Sequence, residues 1–111
     1  MSNWKDASTT VVISVYRPRV GQADRLAEIV RKHAPTLRAE GLITDRPVTV
    51  AVAEDGSFIE VFEWTSLEAA DLAHSNPNVQ VLWEEMGQIA DFATLSSLAE
   101  AQRPFSPFKP F

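Results

Sequence analysis

Apolar positions along this chain switch between two spacings. Residues 10–17, TVVISVYR, are dense in β-branched side chains and read as a strand, which Pro18 ends because proline has no N–H for a sheet ladder. Over residues 21–40 the spacing becomes three and four. Leu26, Ile29, Val30, His33 and Leu37 fall on one helical face. Asp24 and Glu28 near the start suit the helix dipole, Pro35 predicts a kink or local break, and Gly41 supplies a stop. Residues 47–53, PVTVAVA, form a second strand and residues 58–64, FIEVFEW, a third. The Asp55-Gly56 pair between them is a short hairpin signal.

Residues 65–68, TSLE, fit a capping box with Thr65 as cap and Glu68 reaching back. The helix they open runs to about His74. Asn76-Pro77 restarts it, with Asn76 as cap and Pro77 at the first helical position. Val79, Leu82, Met86 and Ile89 are the apolar stripe of the second part, and residues 91–95, DFATL, are a last short strand. The end, RPFSPFKPF, has neither period and reads as an extended arm. Its three phenylalanines would each cost roughly 1.5–3 kcal/mol to leave in water, so the arm is expected to dock. The expected organisation is a flexible lead-in over residues 1–8, one domain over 9–98 and the arm over 99–111.

The order βαββαβ predicts an α+β, ferredoxin-like fold. Right-handed crossovers place the first and third strands at the centre of a four-stranded antiparallel sheet with two helices on one face. One strand parity is aliphatic: Val11, Ile13, Val15, Val48, Val50, Val52, Ile59 and Val61. This face is assigned to the helices. The other parity carries Tyr16, Phe58, Glu60, Phe62 and Trp64, an aromatic patch too large to leave in water. A second copy, sheet against sheet, is the simplest cover, so the chain is expected to pair into a dimeric α/β barrel. The other solution is that the C-terminal arm folds over the sheet.

The chain resembles the dimeric α/β-barrel superfamily, specifically the antibiotic-biosynthesis-monooxygenase-like (ABM) domains. The residues that carry the likeness are VVISVYRPRVGQADRLAEIV and FEWTSLEAADLAHSNPNVQVLW, and it covers about residues 10–95. The resemblance implies a fold used by cofactor-independent oxygenases, quinol oxygenases, haem degraders and proteins of no known activity. Haem-degrading members carry an asparagine on the first strand and a tryptophan followed by a histidine on the second helix. Here the first strand has no asparagine and His74 precedes Trp83, which speaks against haem oxygenation.

Composition narrows the chemistry. Ten basic against fifteen acidic residues give a net charge of −5, which disfavours nucleic acid as a partner. No cysteine is present, which excludes thiolate nucleophiles and Cys-ligated metals. With two histidines in 111 residues, a His-rich metal site is not expected. No apolar run approaches the length of a membrane span and the start is not a signal peptide, so no membrane partner and a cytoplasmic location are expected.

Glu60 and His74 are the candidate catalytic residues. Glu60 shares its face with aromatics, which predicts a raised pKa and a role as proton acceptor; pairing to an Arg or hydroxyl across the dimer seam is its other reading. His74, beside the helix break, is either a general base or a helix-capping residue. Ser14, Tyr16, Phe62 and Trp64 are the candidate ligand contacts. Trp83 and His33 read as core. Two function classes follow. One is a cofactor-free oxygenase or isomerase, with no metal or flavin, acting on a small hydrophobic phenolic or quinol-type compound. The other is a non-catalytic, dimeric small-molecule-binding or stress-associated protein.

Overall fold

A computed structural model describes residues 3–111; residues 1–2 of the expected flexible lead-in lie outside the described residues. Its elements are β1 (Thr10–Pro18), α1 (Ala23–Ala39), β2 (Thr49–Val52), β3 (Phe58–Trp64), α2 (Leu67–His74), α3 (Pro77–Ile89), β4 (Ala90–Ala93) and β5 (Lys109–Pro110). The lead-in holds a short 3-10 turn, Trp4–Asp6. Among the described residues no helix is long and apolar enough to cross a membrane.

The antiparallel sheet has five strands in the order β4-β1-β3-β2-β5, one more than the four expected. The extra strand is the end of the arm, whose Lys109 and Pro110 pair with Val52 and Ala51. Proline is tolerated there because an edge strand leaves one side of its backbone unpaired. The arm reaches this edge through two 3-10 turns, Leu95–Ser97 and Ala99–Gln102.

Local signals explain most boundaries. α1 ends in a Gly41 at φ +73°, and the Leu42 N–H reaches back to the Leu37 carbonyl at 3.0 Å, a left-handed stop that glycine adopts without strain. Pro35 neither ends nor breaks α1. It lies on the exposed side, where the carbonyl it leaves unpaired can be hydrated. Asn76 caps α3 by accepting from the backbone N–H groups of Asn78 and Val79, with Pro77 behind it. The cap of α2 is Ser66, not Thr65: Ser66 Oγ accepts from the Ala69 N–H, whereas Thr65 donates to the Leu42 carbonyl.

In β1 and β3 the two sheet faces are the reverse of the expected assignment. Tyr16, Phe58, Phe62 and Trp64 lie under the helices, packed with Leu26, Ile29, Leu37, Ala73, Val79, Leu82 and Met86. Val15, Ile59 and Val61 face the other way, where Leu98, Ala101 and Phe108 of the chain's own C-terminal segment cover them. Large side chains suit the thick helix–sheet gap, and the flatter aliphatic face needs only a thin strap. The β2 valines face the helices as expected, but beside the aromatic parity of β3 instead of the aliphatic one. Val50 stands opposite Glu60 and Val52 opposite Phe58, so these valines share the helix face.

The strap is incomplete. Val11 and Ile13 remain 53% and 50% exposed. Phe108 docks, whereas Phe105 stays in water and Phe111 is partly exposed, with its ring 5.0 Å from Phe58. The molecule is a slab of 42 × 37 × 19 Å.

Candidate functional site

The helix face of the sheet holds a buried carboxylate, and the neighbouring elements are arranged around it. Glu60, in the middle of β3, is 0% exposed. Its strand partner is Ser14 on β1 and its neighbour on the other side is Val50. α1 crosses this face with His33 in its apolar stripe, 2% exposed. His33 Nδ1 lies 2.7 Å from Glu60 Oε1, and the Tyr16 hydroxyl donates to the same oxygen at 2.8 Å. From α3 the Trp83 indole N–H donates to His33 Nε2 at 2.8 Å.

These contacts fix the protons. An indole nitrogen only donates, so His33 Nε2 is unprotonated. His33 is therefore neutral, with its hydrogen on Nδ1 directed at Glu60. An imidazolium would set an N–H against the indole N–H, so the short His33–Glu60 contact is a hydrogen bond from a neutral imidazole to a carboxylate, not an ion pair. Burial first, and then the adjacent Glu60 carboxylate, pushes the Tyr16 phenol well above its ordinary range. Glu60 Oε2 is buried with no hydrogen-bond partner among the described residues.

In front of this network lies a cleft of about 430 Å³, ample for a small aromatic molecule. Ser14, Tyr16 and His33 line it, with Phe62, Trp64, Trp83 and Phe92 as aromatic walls and His74 at its rim. Phe62 and Trp64 meet edge to face at 5.0 Å, and so do Phe92 and Tyr16 at 5.9 Å. The cleft opens beside Ile13, where β4 has stopped: Ala93 pairs with Val15, and no described strand continues alongside residues 10–14 on that side.

The structure brings Ser14, Tyr16, Phe62, Trp64 and His74 to one cleft, and puts Glu60 behind its wall. Glu60 meets a histidine and a phenol from its own chain. His74, the last residue of α2, is exposed; its ring lies 4.9 Å from Trp83, edge to face, and forms no side-chain hydrogen bond to another described residue. From that position an imidazole can accept a proton from a molecule in the cleft. Sequence reasoning assigned His33 and Trp83 to the core and missed their part in the network. The available signal was a pair: a histidine in the apolar stripe of the helix that must cover the strand bearing an inward carboxylate. Among the described residues no three His, Asp or Glu side chains converge to hold a metal ion.

No protein-family model matches the sequence, and no curated protein matches it. Solved structures do. SnoaB, a cofactor-independent oxygenase from Streptomyces nogalater, is 12% identical with a TM-score of 0.67, over 78% of this chain and 88% of that one. A candidate antibiotic biosynthesis monooxygenase from Chloroflexus aurantiacus is 22% identical with a TM-score of 0.60, over 77% and 84%. A conserved protein of unknown function from Bacteroides thetaiotaomicron is 15% identical with a TM-score of 0.60, over 78% and 94%. The chain therefore has the fold of the antibiotic-biosynthesis-monooxygenase-like proteins.

Proposed function

We propose that this protein is a cofactor-independent monooxygenase that binds a small hydrophobic phenolic or quinol-type compound in the cleft. The observation that carries the reading is the placement of His74. It is an imidazole packed edge to face against Trp83, with no side-chain hydrogen bond among the described residues, at the rim of an aromatic-walled cavity of about 430 Å³. The shared fold with a cofactor-independent oxygenase supports it.

In this mechanism His74 takes the first proton from the substrate, and the electron-rich anion reduces dioxygen directly. For an anthrone-type CH₂ group the resulting peroxide loses its second C–H proton and hydroxide. The products are a carbonyl and one water, so both oxygen atoms are accounted for. Phe62, Trp64 and Trp83 hold the ring system and exclude water. The Tyr16–Glu60–His33–Trp83 network keeps the wall rigid.

The protein acts in the cytoplasm as a homodimer. A second copy laid on the bare part of the outer sheet face would cover Val11 and Ile13. Because Ile13 also belongs to the cleft, the partner would close its open side.

A binding-only role is the second reading. It is favoured by the mutual hydrogen bonding of Tyr16, Glu60, His33 and Trp83, which leaves His74 as the one titratable group lining the cleft that is not engaged in that network. Oxygen uptake with anthrone- and quinol-type compounds separates the two. The wild type is expected to consume oxygen and His74→Ala to lose roughly a hundredfold or more. No uptake by the wild type, or undiminished uptake by the variant, removes the catalytic assignment. Sedimentation of a single chain at micromolar concentration removes the dimer.

A further inference from the structure

The hydrogen-bonding hydrogens of three cleft-lining residues all run the same way. Trp83 has one N–H, and it is held by His33 Nε2 at 2.8 Å. His33 carries its hydrogen on Nδ1, held by Glu60 Oε1 at 2.7 Å. Tyr16 has one O–H, held by that same oxygen at 2.8 Å. The donors of α1, α3 and β1 thus converge on a carboxylate that lies behind the wall and has no exposed surface.

A phenol that donates inward still has lone pairs on its oxygen. A bound molecule can meet them only with a hydrogen of its own. The phenol does not ionise at physiological pH, so Tyr16 offers an uncharged acceptor. Ser14 lies two residues away on the same strand face and also lines the cleft.

We infer that the cleft selects aromatic ligands bearing a hydroxyl or amino hydrogen and discriminates against the matching ethers and quinones, with Tyr16 as the specificity-determining acceptor. An ether or a quinone brings only lone pairs to a Tyr16 oxygen whose hydrogen is already held by Glu60. Burying it there forfeits its hydrogen bonds to water without replacement. Because the oxidised form of a quinol carries carbonyls where the reduced form carries hydroxyls, the same wall favours the reduced form. The inference rests on the cleft being the ligand site, and deepens that reading by fixing which functional group is recognised.

The test is binding without turnover. The full chain is titrated under nitrogen, by calorimetry, with 1-naphthol, 1-methoxynaphthalene and 1,4-naphthoquinone. The wild type is expected to bind the naphthol roughly three- to tenfold tighter than either of the others, the range of one neutral hydrogen bond. In Tyr16→Phe the acceptor oxygen is removed. The preference should then vanish, with affinity for the methoxy compound held within about twofold. Equal affinities in the wild type, or a preference that survives in Tyr16→Phe, overturn the inference and leave the oxygen-uptake result standing. Because the wild-type series alone can refute it, a poorly folding variant does not shelter it. If no member of the series saturates, the cleft is not the ligand site, and both readings fall.

Discussion

Replacing Glu60 with leucine tests the buried network directly. The change removes the acceptor of two donors that have almost no exposed surface, the Tyr16 hydroxyl and the His33 Nδ1–H. An unsatisfied buried donor costs about 1–3 kcal/mol, so the gross loss is about 2–6 kcal/mol. Removing a buried carboxylate whose Oε2 has no partner offsets about 1–3 kcal/mol of this. Glu60→Leu should therefore destabilise by about 1–3 kcal/mol. The sharper signature is the sign of a second change. In the wild type, Tyr16→Phe deletes a satisfied hydrogen bond and should cost about 1 kcal/mol. In the Glu60→Leu background the same hydroxyl is an orphan, so Tyr16→Phe should stabilise by about 1–2 kcal/mol. The coupling is then about 2–3 kcal/mol, well within what a double-mutant cycle resolves. Urea unfolding followed by circular dichroism measures all four proteins, with unchanged slopes confirming comparable denatured states. If Tyr16→Phe costs the same in both backgrounds, the hydroxyl is not held by Glu60 and the network as described is wrong.

Leu98→Ala should cost about 2–4 kcal/mol by the same assay, since Leu98 is the buried anchor of the strap over Val15, Ala53 and Ile59; a loss below 1 kcal/mol would mean the arm does not hold that face. His74→Ala should leave stability within about 0.5 kcal/mol, because the side chain is exposed, so its effect on oxygen uptake can be read without a folding correction. At Asp55, burial raises the pKa, but hydrogen bonds from Ser57 and the Arg17 guanidinium outweigh it and hold the carboxyl below its usual value. A depressed folded pKa stabilises above the unfolded value, near pH 4, and that contribution fades as pH falls through the folded value. Asp55→Asn should therefore trail the wild type by about 0.5 kcal/mol near neutrality, a small figure because both partners are more than a third exposed. The gap should close as pH is lowered below about 4; one that stays constant down to pH 2 would refute the assignment.

Much of the fold is legible along the chain because its signals are local. The Gly41 stop, the Asn76-Pro77 start and the β3 limits Phe58–Trp64 depend on backbone chemistry within a few residues. Spacing likewise shows that Tyr16, Glu60, Phe62 and Trp64 share a face. Parity says which side chains go together, but not which way they go. Aliphatic and aromatic faces both exclude water, so hydrophobicity alone does not say which one the helices take, and the assignment came out reversed in β1 and β3. The pairing of the β2 valines with one parity of β3 failed for a related reason: the five residues 53–57 between the paired ends can be counted into either phase, and one residue moves every valine to the other parity.

The sequence by itself determined the α+β element order, the acid at the centre of β3 and the histidine beside the helix break. Only the tertiary structure decided that Glu60 looks toward α1, where His33 and Tyr16 meet it and Trp83 completes the chain of hydrogen bonds. It also decided that the arm returns to the sheet as a fifth strand and covers part of the outer face. The reason is one of range. Caps, turns and periods act over a few residues, whereas His33 and Trp83 stand fifty residues apart. Their meeting depends on how helices and sheet fill a common volume, which no local pattern records.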